Sequence, residues 1–275
     1  MKARRLAGKD NGFALLVVLW TMVMLSFLAF AIIATGRRQV RMAALERLHV
    51  QLQAQADGGV WEAAFHLLDP ARGHWSADGV IHQVRHDRIV IQYRIVSEGG
   101  KVNPNLASPD LLAALLRVVG AQDRIAQTVA ANIRAWRFPL QQGATPPAGS
   151  AAAYVAAGLT YGPPGAPFQT PEETGLVLGM TPGLTRQLLP YLSLYWDADP
   201  ILSLASPVVR QALVMTGRNP APDDEARAQT IVGIDVTVTD TSGARALRHA
   251  VITTQPGGNA AFPVRIVQWD MPQNY

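Results

Sequence analysis

The chain has 275 residues, 49% hydrophobic and 16% charged, with 24 Lys+Arg against 20 Asp+Glu and no cysteine. So apolar a composition excludes a disordered chain, and the missing cysteines exclude a disulfide framework, a thiolate nucleophile, an iron–sulfur cluster and a cysteine-ligated zinc site. A formal net charge of +4 leaves nucleic acid or a membrane surface open as partners.

The charge is not evenly spread. Residues 1–12 (MKARRLAGKDNG) hold Lys2, Arg4, Arg5 and Lys9 against Asp10, so most of the net charge belongs to this leader and the rest of the chain is close to neutral. Phe13 to Thr35 (FALLVVLWTMVMLSFLAFAIIAT) follows without a charge, and only Thr21, Ser26 and Thr35 fall outside the apolar set. At ~1.5 Å per residue a helix over this stretch is roughly 35 Å long, enough to cross the ~30 Å hydrocarbon core of a bilayer. A core helix of a soluble protein would show a polar face. The stretch is also too long for the apolar part of a cleaved secretory signal, so it predicts a retained transmembrane helix.

Beyond Arg37 the spacing of Val40, Ala44, Leu48 and Leu52 predicts an amphipathic continuation. Gly58-Gly59 predicts a bend or loosening before Trp61 to Leu68, and Pro70 with Gly73 ends the helix. Val80 to Ser97, rich in β-branched residues, reads as a hairpin turning near His86-Asp87. Four boundaries then share one device: Ser108-Pro109, Thr170-Pro171, Thr181-Pro182 and Ser206-Pro207 each put a hydroxyl at an N-cap and proline at the first helical position. Thr170 with Glu173 adds a capping box. Helices are expected over 110–119 and 208–216, stopped by Gly120 and Gly217, and their flanking sequences NLASPDLLAALLRVVG and SLASPVVRQALVMTG echo one another. Gln141 to Gly165, rich in Gly, Pro and Ala, reads as a surface loop or linker. Strands return over 230–239, 246–254 and 263–269, with turns at 240–243 and 256–259.

No phosphate loop, GxSxG or HExxH occurs, and the six histidines (49, 66, 74, 82, 86 and 249) are scattered. His82 and His86 would share a strand face, with a solvated strand as the plainer reading. The chain is therefore not read as an enzyme. Two helix-to-helix turns, Val118-Val119-Gly120 and Val177-Leu178-Gly179, resemble helix-hairpin-helix modules, which makes a membrane-anchored DNA-binding protein the alternative function. Lys101 is the only lysine after Lys9, so a phosphate clamp would be weak and no nucleic-acid partner is expected.

Gly12-Phe13, between a basic leader and an uncharged helix, resembles the prepilin peptidase site of type IV pilins and pseudopilins. The resemblance implies cleavage after Gly12 and N-methylation of Phe13 as the mature N-terminus. Most such proteins carry Glu at the fifth mature position, where its carboxylate meets the N-terminal ammonium of a neighbouring subunit; here that position is Val17. Absence of the carboxylate is a feature of the K-type minor pseudopilin of type II secretion. The order of elements (long helix, strands, helical insertion, strands) is similar to that family along the whole chain. So are GGKVNPNLAS at 99–108 and the segment 168–195, with TPEE at 170–173, VLGMT at 177–181 and LPYL at 189–192.

The resemblance implies an α+β fold in which a pilin-like N-terminal transmembrane helix packs on an antiparallel sheet and a large α-helical domain is inserted between strands. The expected divisions are a leader at 1–12, a transmembrane helix at 13–35, a helix extension with the first strands at 36–100, the inserted helical domain at 101–217 and the C-terminal strands at 218–275. The implied function is a tip subunit of the type II secretion pseudopilus, a single-pass protein of the bacterial inner membrane with its body in the periplasm. The implied partners are other minor pseudopilins, prepilin peptidase, the inner-membrane assembly platform and secreted substrates. Some family members are calcium-stabilised, and Asp197, Asp199, Asp223, Asp224 and Glu225 offer hard oxygen ligands, as do Asp235 and Asp270 in the terminal strands.

Overall fold

In the computed structural model the apolar run lies within one helix, α1 (Asp10–Leu68). Residues 10–69, 73–138, 149–217, 230–254 and 263–270 are described, and the chain divides into two compact units, Met1–Ala54 and Gln55–Tyr275. In the first unit, Phe13–Ile33 has a mean hydropathy of 2.6 and none of it is buried, so by length and composition it can cross a membrane. Phe13, Trp20, Phe27 and Phe30 all stand exposed around the helix. The hydroxyl of Thr21, a polar group in an apolar run, donates to the carbonyl of Val18 at 2.9 Å, so it needs no partner outside the helix. The stripe expected to be buried is not so at its start, because Val40 is 71% exposed.

The second unit begins with the last turns of α1. The helix is not interrupted at Gly58-Gly59 and continues to Leu68. The glycine pair has another use. A Cβ on Gly59 would lie 2.7 Å from Cγ1 of Val236 and 3.3 Å from the ring of Tyr93, whereas one on Gly58 would meet nothing within 4 Å. Gly59 thus lets the helix approach a sheet closely, and Gly58 lies on its free side. That sheet is an antiparallel meander in the order β1 (Asp78–His86), β2 (Ile89–Ser97), β3 (Ile231–Asp240), β4 (Arg245–Thr253) and β5 (Arg265–Asp270). One face is apolar by alternation with a single charged exception: Ile91, Tyr93 and Ile95, then Val232, Ile234, Val236 and Val238, then Ala246, Ala250 and Ile252, with Arg248 between Ala246 and Ala250. Two polar ties sit beside this packing. The Tyr93 hydroxyl donates to Glu62 at 2.5 Å, and Arg248, almost fully buried, pairs with Asp57.

Between β2 and β3 the described residues make five α-helices: α2 (Pro109–Val118), α3 (Asp123–Arg137), α4 (Ala151–Ala156), α5 (Pro182–Leu188) and α6 (Pro207–Met215). Residues 111–116 of α2 are all buried, the pattern of a helix enclosed on every side. Their leucines join Val129 and Ile133 of α3, Leu188 of α5 and Val209 and Leu213 of α6 in one core. Ser108, Thr181 and Ser206 cap as expected, each accepting the N–H three residues on. Thr170 does not. Its element is a 3-10 helix (Pro171–Leu176) with no side-chain cap, and Glu173 accepts from the N–H of Gln169 instead of closing a capping box.

Two elements differ from the sequence expectation. The stretch read as a linker holds α4, capped by Ser150 and anchored by the fully buried Tyr154; it has no proline signal, and residues 139–148 lie outside the described set. α3 starts at Gln122 without a side-chain cap, so nothing local announces it. The expected turn at 256–259 also lies outside the described residues.

Replacing the two adjacent glycines should shift stability in opposite directions. Gly58→Ala should raise it by about 0.5–1 kcal/mol through helix propensity, while Gly59→Leu should lower it by about 1–3 kcal/mol through overpacking against Val236. Urea unfolding of the two variants in detergent checks this, and equal shifts would refute the close-packing role of Gly59.

Candidate functional site

The N-terminal positions lie on α1. Gly12 and Phe13 fall within its first turn, and Val17 follows about one turn on. Phe13 is 74% exposed and Val17 44%, so an apolar surface surrounds the place where a carboxylate would otherwise stand.

A second site is the polar clasp at the start of the insertion. Ser97 closes β2 and its hydroxyl accepts the Gly99 N–H at 3.2 Å. Gly100 touches the chain at 204 so closely that a Cβ would collide with the Leu204 carbonyl, and Gly99 accepts from the Ile201 N–H at 2.8 Å. Val102 then bridges Leu192 in parallel, its N–H donating to Tyr191 and its carbonyl accepting from Ser193. Asn103, 5% exposed, donates to the Trp196 carbonyl at 2.7 Å and accepts from the Asn105 N–H at 2.9 Å. Asn105 treats Phe168 as a strand would: its amide donates to the Phe168 carbonyl at 2.9 Å and accepts the Phe168 N–H at 2.8 Å. Arg137, at the end of α3, donates to the Asn105 carbonyl. Burial first, and the Arg134 charge second, hold its guanidinium below the ordinary value. Two asparagines therefore join segments from four parts of the insertion.

The sheet face opposite the α1-packed one carries a charged row. Cross-strand register sets Arg94 beside Asp235, Asp235 beside His249 and His249 beside Asp270, so the row crosses four strands. His249 Nδ1 lies 2.6 Å from Asp235. Glu98, buried, receives Lys101 at 2.6 Å and rests over Gly233, where a Cβ would lie 2.5 Å from its oxygen. Tyr195 of the insertion donates to Gln268 of β5. Together these groups line a cleft of about 780 Å³. Burial works to raise the Asp235 carboxyl, but its hydrogen bond to His249 and the charges of His249, Lys101 and Arg94 outweigh it and leave it below its ordinary 3.8. Burial, then Asp270, Glu98 and Glu172, push the Tyr195 phenol up to about 12, so it stays a neutral donor. Sequence reasoning singled out Asp235 and Asp270 as oxygen ligands; the structure instead uses Asp235 as the partner of His249 and Asp270 as the acceptor for Gln268.

The remaining carboxylates do not assemble a metal site within what is described. Asp197 and Asp199 share one loop, where the Asp199 carbonyl accepts from the Trp196 indole at 3.0 Å. Asp223, Asp224 and Glu225 lie outside the described residues. Among the described residues no three His, Asp or Glu side chains gather closely enough for a cation, and two carboxylates fall short of the six to eight oxygens that calcium takes. His82 stacks on Trp75 at 4.4 Å, with His66 on the other face at 4.1 Å. The helix-hairpin-helix turns already use their N–H groups internally: Ala121 donates to Leu116 and Leu178 to the Tyr154 hydroxyl. Such turns hold the helices together and leave few donors for phosphate.

Asn105→Ala should cost about 2 kcal/mol or more, since it strands the N–H and carbonyl of buried Phe168; an unchanged urea midpoint would contradict the clasp. The Asp235–His249 pair predicts a pH signature. A carboxyl depressed in the fold stabilises above its unfolded value near 3.8 and loses that contribution as pH falls through the lower folded value. The Asp235 side chain is 49% exposed, so screening keeps the effect below about 1 kcal/mol. The stability difference between wild type and Asp235→Asn should shrink as pH drops below that value, as urea midpoints at several pH values would show.

Residues 93–197 match the family model "Type II secretion system (T2SS), protein K". This interval takes in the clasp, α2 to α5 and the Tyr195 contact. No curated protein matches the chain. Among solved structures, the chain is similar to one in the GspK-GspI-GspJ complex of the type 2 secretion system of enterotoxigenic Escherichia coli, with a TM-score of 0.59 and 13% identity, covering 86% of this chain and 100% of that one. The likeness shows a shared α+β pilin-like fold. Over residues 93–197 the chain is similar to protein K of the type II secretion system, and over most of its length it shares the fold of a chain in the GspK-GspI-GspJ complex.

Proposed function

We propose that this chain is a K-type minor pseudopilin of the type II secretion system that occupies the tip of the pseudopilus, where it starts or caps assembly for export of folded proteins across the outer membrane. The observation that carries the reading is Val17. Cleavage after Gly12 would leave a charged amine on Phe13, and enclosing that amine among apolar helices costs on the order of several kcal/mol without a carboxylate. A subunit with valine at the fifth mature position cannot supply that carboxylate to a subunit ahead of it, which suits the position with nothing ahead. The five helices between β2 and β3 add bulk that does not suit a subunit stacked upon it. The role is structural, not catalytic.

The span from Phe13 would hold the protein in the inner membrane with its body, including an inserted domain over 101–217, in the periplasm. Its partners would be minor pseudopilins of the I and J types, by likeness to the complex above, together with prepilin peptidase and the inner-membrane platform. Mass spectrometry of the membrane-purified protein should find a chain beginning at methylated Phe13, and Gly12→Ala should leave the leader attached and abolish secretion. Val17→Glu should be tolerated or let the subunit enter below the tip, which crosslinking within isolated pseudopili would detect. Normal processing of the Gly12 variant would overturn the cleavage assignment.

A further inference from the structure

A second cleft, of about 580 Å³, lies in the Gln55–Tyr275 unit between the end of α1, the Trp75–Gly79 segment with β2, and the start of α6. It adjoins the first cleft, sharing Arg94, Val96, Leu204 and Ser206 with it. Within its own lining the cations outnumber the anions: Arg94, Arg210 and His74 stand against a single carboxylate, Asp78. Asp78 is already engaged, accepting the Val80 N–H at 2.9 Å. Arg210 reaches only the Ala205 carbonyl, at 3.2 Å, and neither arginine has a carboxylate within ion-pair reach among the described residues. Arg94 feels Asp235 at a distance without pairing to it. Two guanidinium forks facing one concave space form a receptor for an oxyanion, because each can give two parallel N–H bonds to a carboxylate or phosphate. The start of α6 does not account for this, since Ser206 already takes the Val209 N–H.

We propose that this cleft binds the carboxylate of an acidic polypeptide segment. Size and lining separate that ligand from a free anion. An inorganic ion would leave most of the space to water, whereas Leu67, Val96, Leu204 and Ala205 give an apolar wall for the stem of an Asp or Glu side chain and its neighbours, within the usual volume of a ligand site. The hydroxyl of Ser76 and the Thr254 side chain supply polar positions at the rim. The inference rests on this unit's geometry alone and is independent of the tip assignment.

The test uses the full chain in detergent, titrated calorimetrically at fixed ionic strength with an end-blocked acidic hexapeptide, the same peptide with Gln for Glu, and inorganic phosphate. The acidic peptide should bind and the amide version should not. Arg94→Gln and Arg210→Gln should each weaken binding at least about tenfold, the loss of one charge-assisted pair, while Arg186→Gln, in the other cleft, should leave it unchanged. Arg210→Lys, which keeps charge without the fork and is a milder change if the glutamine variant misfolds, should recover part of the loss. Equal affinity for the two peptides, or undiminished binding by folded arginine variants, would overturn the site. Binding of phosphate with the peptide ignored would overturn its assignment to a polypeptide.

Discussion

Ser97 and Val232 are directly opposite one another in the sheet, and every helix of the insertion is threaded between them. The chain must therefore leave the sheet and return to it at one place. What lies between is long enough to close on itself, and only a few of its described groups, such as Tyr195 with Gln268, reach back to the strands it interrupts. The insertion closes around its own apolar core, centred on α2, whose cluster runs from Val102 to Leu213 and includes no residue of β1 to β5. Leaving the sheet also strips the backbone of ladder partners just where it becomes buried, at residues 98–104. The Asn103 and Asn105 amides and the Val102 bridge supply those partners, as buried polar groups require.

The same constraint explains the charged row. A sheet face that is neither fully solvated nor packed in an apolar core favours charges of opposite sign set side by side, and here Asp235 and His249 close to 2.6 Å while Arg94 acts on Asp235 only at a distance. Arg94, Asp235, His249 and Asp270 alternate in sign across adjacent strands when the imidazole is protonated, and cross-strand pairs of opposite charge stabilise where like charges would not. Glu98, buried at the edge of this face, is tolerable because Lys101 reaches it.

Legibility in the sequence followed the range of the interaction. The membrane span and the Ser108, Thr181 and Ser206 caps depend on neighbours within a few positions, and all could be read directly. α3 has no capping side chain and α4 no proline, so only tertiary packing, such as the burial of Tyr154, reveals them. The Asn-containing motif was visible as a pattern, but its purpose was not, because Phe168 and Trp196 are distant in sequence. The charged row was invisible for a stricter reason. It exists only in one register, and a slip of a single residue would turn each side chain to the other face.

Polar ties with apolar cores kept apart also account for the kind of residue found at the clasp. Apolar burial is non-directional and would let the segments of the insertion settle against one another in several arrangements of similar energy. Hydrogen bonds to fixed carbonyls and N–H groups hold only within narrow distances and angles. The Asn105 amide is satisfied by Phe168 and the Asn103 amide by Trp196 only when α3, the 168 segment and the 196 loop occupy one mutual arrangement. Replacing these amides by leucines of similar volume would keep the bulk and lose the register. An insertion that must hold one internal arrangement is therefore better served by buried asparagines than by apolar contacts alone, even though each hydrogen bond contributes little net stability.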